Sequence, residues 1–492
     1  MTKEVPKKVL INPSTILFKT INKSLFLNLP LPLTKLYKPT FRNSIMEVCT
    51  VGGFEEVGKN MTAVKVGEDV FLFDCGFFLP GIIELQEDQS QEYTIRGLRR
   101  VGGIPDDRVL DSLKWKDKVK AIFISHAHLD HIGGLQYLID RYPEATVYGT
   151  PFTIEVFKSL SRDSKISVGN KIKVVESNSI HNIPNAANNI KVEFVHTTHS
   201  TIDCTFVVLH TPEGGFFYAL DYKFDDDPTF GPRPNYKRLE ELGNENIKVA
   251  IINTLYAGKK EPNGGERDAD KMLRVAFEKA QSNDQALFIT TFSSHIERLN
   301  NIVKHAKKTN REIIFLGRSL AKYVDCAERI GKAPFRNSVK IMKYRGQVNS
   351  ILKKIDKDRG RYVVVCTGHQ GEKNSILDRI SRGQTFFKFR EGDHLIYSSS
   401  VIPTKVNIEA REKLDQKLKK IGVELQLNVH VHGHGSQNSK KKLINMVKPQ
   451  VIIPAHGNID QEKDLICVVK EMGYELNKTS YLAKNGQVFN FK

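Results

Sequence analysis

Ten residues, Ser125-His126-Ala127-His128-Leu129-Asp130-His131-Ile132-Gly133-Gly134, carry three imidazoles and a carboxylate. Imidazole nitrogen and carboxylate oxygen are the ligands zinc-like ions prefer, and four of them in so short a turn can serve two metals. A chance grouping would bury several polar side chains without partners, which is costly. Four more groups of the same chemistry each lie just past a short apolar run. Asp74 follows Val70-Phe71-Leu72-Phe73, His199 follows the run ending at His196, Asp221 follows Phe216–Leu220, and His456 follows Val451–Pro454. Strand ends of this kind are where an α/β sheet exposes its site-building loops.

The elements that must position these residues can be read from periodicity. Ala121-Ile122-Phe123-Ile124 reads as a short buried strand and Leu135-Gln136-Tyr137-Leu138-Ile139 as a helix, so the ten-residue cluster sits where a strand hands over to a helix. Strands are expected at 47–53, 61–66, 69–74, 145–149, 173–176 and 191–196, with a hairpin turning at Glu213-Gly214-Gly215. Beyond about residue 235 buried strands and helices alternate regularly, which implies a mostly parallel sheet covered by helices. The helix expected at 407–420 leads to a strand at 424–431, then a helix at 440–446 and a strand at 451–454.

The totals set bounds. With 492 residues the chain has room for two or three domains, and its net charge of +18 favours a polyanionic partner, nucleic acid first. Six cysteines are scattered with no CxxC spacing, which argues against a disulfide framework or a cysteine zinc site and fits a reducing cytosol. No apolar run approaches the ~18 residues of a membrane span. Residues 1–45 hold five prolines, eight Lys/Arg and one acid without apolar period, and read as a disordered segment or an in-frame extension ahead of Met46.

The five ligand-bearing elements resemble the metallo-β-lactamase superfamily, and the middle alternation with His434 and His456 resembles its β-CASP nuclease branch. Three stretches are similar to ribonuclease J in its archaeal form. They are Val51-Gly52-Gly53-Phe54-Glu55-Glu56-Val57-Gly58-Lys59-Asn60-Met61, Thr290-Thr291-Phe292-Ser293-Ser294-His295-Ile296 and Thr367-Gly368-His369-Gln370-Gly371-Glu372. The resemblance runs from Met46 to the C-terminus and implies an αββα sandwich at 46–235 and 403–492, with a β-CASP domain inserted at 236–402. The extra C-terminal domain of bacterial relatives is expected to be absent.

Carried over position by position, the resemblance gives His126, His128 and His199 to one zinc ion and Asp130, His131 and His456 to another, with Asp221 bridging; Mn²⁺ is an alternative ion. Asp74 would fix the tautomer and orientation of ligand imidazoles. His434 would stand beside the scissile phosphate as proton donor or charge stabiliser. Substrate contacts would come from Ser294, His295, Gly368, His369, Gln370, Gly371, Ser398, Ser399, Ser400, His430, His432 and Gly433. In this family such a pocket recognises a 5′-monophosphate end. One departure stands out: the β-CASP pattern expects an acidic residue where this chain has Asn253, and either Glu266 takes that role or the role is dispensable.

The implied function is a cytoplasmic 5′→3′ exoribonuclease acting on single-stranded RNA, with a homodimer and association with other RNA-decay proteins among the expected partnerships. The runner-up within the same chemistry is an endoribonuclease or 3′-end processing enzyme. A small-molecule metallo-hydrolase is a different class. Against it stands the long stretch between Asp221 and His456, room for a whole domain that a small substrate would not require. A catalytically dead RNA-binding protein would not be expected to keep its full ligand set.

Overall fold

The computed structural model describes residues 46–87, 93–186, 190–261, 264–280, 284–402 and 405–492. The readings of residues 1–45 lie outside the described residues. Strands β1 (Met46–Gly52), β2 (Met61–Val66) and β3 (Asp69–Phe73) form an antiparallel meander. β4 (Val119–Phe123), β5 (Thr146–Gly149) and β6 (Ile172–Val174) continue the sheet in parallel. In a second sheet, β7 (Ser179–Asn182), β8 (Lys191–His196), β9 (Thr205–Thr211) and β10 (Gly214–Ala219) alternate in direction, and β11 (Ile247–Asn253) joins β10 in parallel.

A third sheet is parallel throughout. It is built from β12 (Leu287–Thr290), β13 (Glu312–Leu316), β14 (Val339–Met342), β15 (Tyr362–Cys366), β16 (His394–Tyr397) and β17 (Glu424–Gln426), in the order β14-β13-β15-β12-β16-β17. Helices cover both its faces, which is why β12 and β15 read as unbroken buried runs rather than alternating ones. The chain then returns to the first two sheets: β18 (Val451–Ala455) lies beside β11 and β19 (Gln487–Phe491) beside β1.

The first two sheets pack face to face. Phe73 meets Phe216 and Tyr218 with ring centroids 4.8 and 5.3 Å apart, and Phe123 meets Phe194 at 6.4 Å. Burying one such side chain contributes roughly 1.5–3 kcal/mol, so this seam is a main source of the sandwich's stability. Helix Pro151–Asp163 covers the first sheet, and helices Tyr236–Leu242, Gln437–Val447 and Ile459–Glu471 cover the second. The result is an αββα sandwich with a parallel α/β domain inserted. Helix Arg318–Arg329 of that domain lies on helix Pro151–Asp163, and Lys332 pairs with Asp203 at 2.5 Å across the junction.

Two strands fall on the other side of the expected domain boundaries. β11, placed by its sequence in the inserted domain, lies between β10 and β18 in the second sheet. β17, expected after the insertion, pairs with β16 inside the third sheet and stops at Gln426 rather than 431. The helix expected at 135–139 forms over Leu135–Leu138 and runs on into a tighter turn at Ile139–Arg141, and a separate turn, Leu129–Ile132, precedes it. Gly133 lies between the two turns, where a Cβ would stand 2.3 Å from the Phe77 ring, so glycine is what lets that ring pack there.

Candidate metal centre

Six strand ends converge on one end of the sandwich: Asp74 after β3, the His126–His131 turn after β4, His199 after β8, Asp221 after β10, Asn253 closing β11 and His456 after β18. Asp74 and His456 both adopt left-handed backbone, with φ of 57° and 60°. Such a conformation costs about 1–3 kcal/mol and persists only where the surroundings fix it. For His456 the fixing contact is its own N–H, which donates to Gly53 O at 2.6 Å. The Asp74 turn admits only glycine two residues on, because a Cβ at Gly76 would lie 1.6 Å from Asp130 O.

Two sets of ligand atoms result, each within 4.8 Å: His126, His128, His199 and Asp221, and Asp130, His131, Asp221 and His456. Asp221 belongs to both. Its Oδ2 lies 3.3 Å from Nε2 of His131 and His199 and 3.6 Å from His126 Nε2, while Oδ1 lies 3.5 Å from His456 Nε2. Asp130 Oδ2 is 3.8 and 3.7 Å from His131 and His456 Nε2. Ligands around a tetrahedral ion with bonds near 2.0–2.1 Å stand roughly 3.3 Å from one another, so this spacing matches a filled coordination shell. His126 Nε2 is fully buried with no hydrogen-bond partner among the described residues, an arrangement that is costly unless a cation uses its lone pair.

The far sides of His131, His199 and His456 are held so that Nε2 faces inward, whereas His128 turns its Nδ1 inward, 3.0 Å from His199 Nε2. His131 Nδ1 donates to Asp74 Oδ2 at 2.7 Å, and Asp74 also accepts Ser125 N–H at 2.8 Å and its hydroxyl at 2.9 Å. His199 Nδ1 donates to Gly433 O at 2.6 Å. The Asn60 amide meets His456 Nδ1 at 2.8–3.0 Å. Burial and neighbouring imidazoles push His126 and His128 well below the usual histidine range, which keeps both neutral. At His131 burial acts in the same direction, but the Asp221, Asp130 and Asp74 carboxylates outweigh it and hold the ring well above that range. Positive charge is favoured there, whether proton or metal ion, and the two compete.

His434 stands at the rim, its Nδ1 3.6 Å from Asp221 Oδ1 and 3.3 Å from Asn253 Nδ2. The Asn253 amide donates to Asp221 Oδ1 at 2.7 Å. An ionised carboxylate in its place has no proton to give and could not make that bond. Glu266 sits elsewhere. It is buried and gripped by Arg298 in a two-point pair of 2.6 and 2.9 Å, and Arg298 also reaches Ser398 Oγ at 3.0 Å and His430 Nδ1 at 3.1 Å. Asn253, not Glu266, is therefore the residue beside the ligands.

The remaining expected substrate contacts form a second group around the ends of β12, β15 and β16. His295 Nε2 is 3.3 Å from Glu266, with Ser294 beside it, and Gln370 Nε2 donates to Ser400 O at 2.9 Å. Gly368 and Gly371 take φ of 119° and 76°, giving the turn its curl. Both ring nitrogens of His369 and the Ser399 hydroxyl are buried without a hydrogen-bond partner among the described residues. Burial and Arg411 lower His369 to about 3, so it is neutral. His432 turns to Tyr256. Asn60 and Arg298 carry structural weight that sequence reading missed, although Arg298 lies one helical turn past His295 and Asn60 within a stretch already marked by its resemblance.

Residues 55–219 match the metallo-beta-lactamase superfamily, 284–414 the ribonuclease J beta-CASP domain, and 420–477 the Zn-dependent metallo-hydrolase RNA specificity domain. Ribonuclease J of Pyrococcus abyssi is 37% identical over 446 residues, covering 90% of this chain and 97% of that protein. The chain belongs to the ribonuclease J family. Ribonuclease J of Methanocaldococcus jannaschii is 33% identical over 91% of this chain and 99% of its own length. Ribonuclease J 2 of Staphylococcus aureus is 27% identical, with the match spanning 75% of that longer protein. A crystal structure of a protein of unknown function from Enterococcus faecalis superimposes with a TM-score of 0.61 at 18% identity, covering 90% of this chain and 99% of that one, and shares the fold.

Proposed function

We propose that this ribonuclease J family member hydrolyses single-stranded RNA from the 5′ end, prefers a 5′-monophosphate, and works with two divalent ions, zinc first. The observation that carries the reading is Asp221, whose carboxylate lies 3.3–3.6 Å from Nε2 atoms of both ligand sets. His126, His128 and His199 would hold one ion and Asp130, His131 and His456 the other, with Asp221 shared. Bound there, the ions supply Lewis acidity toward the phosphate and lower the pKa of water.

The chain's own residues do the rest. Asp74, Asn60 and the Gly433 carbonyl orient the imidazoles, so little reorganisation is needed when substrate arrives. His434, beside Asp221 yet outside both ligand sets, would deliver a proton to the departing 3′ oxygen. Polar atoms of His369 and Ser399 that have no partner among the described residues support a terminal phosphate pocket. The net charge of +18 supports a polyanionic substrate.

The test is a time course on one RNA supplied with 5′-monophosphate, 5′-triphosphate or 5′-hydroxyl ends, labelled at the 5′ terminus. Release of labelled mononucleotide first, fastest from the monophosphate, is expected. Internal cuts indifferent to the end would overturn the exonuclease reading in favour of an endonuclease.

A further inference from the structure

Tyr256 is a bulky aromatic held with φ of 62° in the turn that follows β11, just past Asn253. Left-handed backbone is unusual for such a residue and costs of the order of 1–3 kcal/mol, so other contacts must impose it. They are visible on both sides: Leu255 N–H donates to Asn253 Oδ1 at 2.7 Å, Ala257 N–H to Thr254 O at 3.0 Å and Lys259 N–H to Tyr256 O at 3.0 Å. The Lys259 carbonyl is in turn tied to Gln437 N–H at 2.8 Å, anchoring the turn to the start of helix Gln437–Val447.

The effect is to project the half-buried Tyr256 ring to the rim of the metal centre. Its centroid is 4.7 Å from His432 and 6.3 Å from His434, and its hydroxyl meets His432 Nδ1 at 3.0 Å. The exposed Lys259 places its ammonium 4.9 Å from the ring centroid. We infer that Tyr256 is a stacking platform for the nucleobase adjoining the scissile phosphate. This inference rests on the RNA-hydrolase reading above and assigns that site a nucleotide contact of its own.

Magnitudes favour the base over the lysine. An exposed cation–π contact gives about 0.5–1 kcal/mol, whereas a nucleobase stacked on an aromatic side chain gives about 1–3 kcal/mol. A base arriving on the ring displaces the flexible ammonium, which can then meet a phosphate. Stacking tolerates any base, as a processive or unselective nuclease requires, and fixes the sugar and phosphate between the base and His434. The hydrogen bond to His432 holds the ring plane steady.

The test uses the full chain loaded with metal and a set of short 5′-monophosphorylated RNAs, each with one abasic nucleotide at a different place. Single-turnover kcat/KM is measured for the native chain, Tyr256→Ala and Tyr256→Phe. The native chain is expected to lose about tenfold at one nucleotide flanking the cut, the size of one stacking contact. Tyr256→Ala should lose the same factor on intact RNA and nothing further on that abasic RNA, while Tyr256→Phe stays close to native. Equal loss by Tyr256→Ala on every RNA would overturn the platform, and so would Tyr256→Phe behaving like Tyr256→Ala. Should Tyr256→Ala fail to fold, the abasic series on the native chain and on Tyr256→Phe decides alone. If the native chain cleaves none of the RNAs, it is the RNA-hydrolase reading that falls. If it cleaves all of them equally, only the platform does.

Discussion

At the scale of single residues the centre divides by what each group touches. Asp221 faces both ligand sets and His128 lies within one, so Asp221→Ala or His128→Ala should reduce hydrolysis by at least about 10³-fold while RNA retention on a filter stays measurable. His434→Ala should cost about 10²–10⁴-fold, the usual worth of a positioned proton donor, with metal content by mass spectrometry unchanged. Equal metal loss in that variant would make His434 a ligand. Asn253 supplies a finer prediction. Its amide nitrogen now lies 3.3 Å from His434 Nδ1. A carboxylate at that position would favour the imidazolium form of His434. Asn253→Asp should therefore move the alkaline limb of the pH–rate profile upward, since His434 keeps its proton to higher pH; an unmoved limb would show that His434 is not the titrating acid.

At the scale of elements, much of the site was legible because its side chains follow apolar runs. Val70–Phe73 before Asp74 and Ile452–Ile453 before His456 are buried strands whose ends can only emerge at the sheet's rim. The partner of a strand was not legible. β11 is buried on both faces, as are the central strands β12, β13 and β15 of the inserted sheet, so its sequence does not reveal that its neighbour is β18, far along the chain and beyond the whole insertion. The loop bearing Asn60 also owes its place to a distant element. Glu462, on helix Ile459–Glu471, accepts the Glu55 N–H at 2.7 Å, and its other oxygen is buried without a partner among the described residues. Burial pushes its carboxyl up to about 7 against that hydrogen bond. Since the unfolded group titrates near 4.3, the stability present at low pH is lost as pH rises through the folded value. Glu462→Gln stays neutral, so its stability advantage over the native chain should grow between about pH 4.5 and 7 and level off at roughly 1–3 kcal/mol by pH 8. Denaturant midpoints at pH 5 and 8 check it; a constant difference would mean that the carboxyl is already ionised without cost.

At the scale of the whole molecule, ligands from His126 to His456 close on one pocket, so the ions would join the two parts of the sandwich that the inserted domain separates. A ligand that binds only the folded chain stabilises it by RT ln(1 + [L]/Kd), about 4 kcal/mol at a thousandfold excess over Kd. The bare centre has a matching cost. Within each ligand set the carboxylate and imidazole ligand atoms lie within 4.8 Å of one another. Without a cation among them they repel or compete for protons. Chelation by EDTA should thus lower the apparent Tm by several degrees, and zinc or manganese should restore it. His456→Ala, which removes the ligand contributed by β18, should start near the chelated Tm and respond little to EDTA, because the return of the chain to the second sheet is no longer tied through a metal. A native Tm indifferent to chelation, with metal demonstrably removed, would mean that the sandwich closes on its aromatic seam alone and that the His and Asp side chains are arranged without help from an ion.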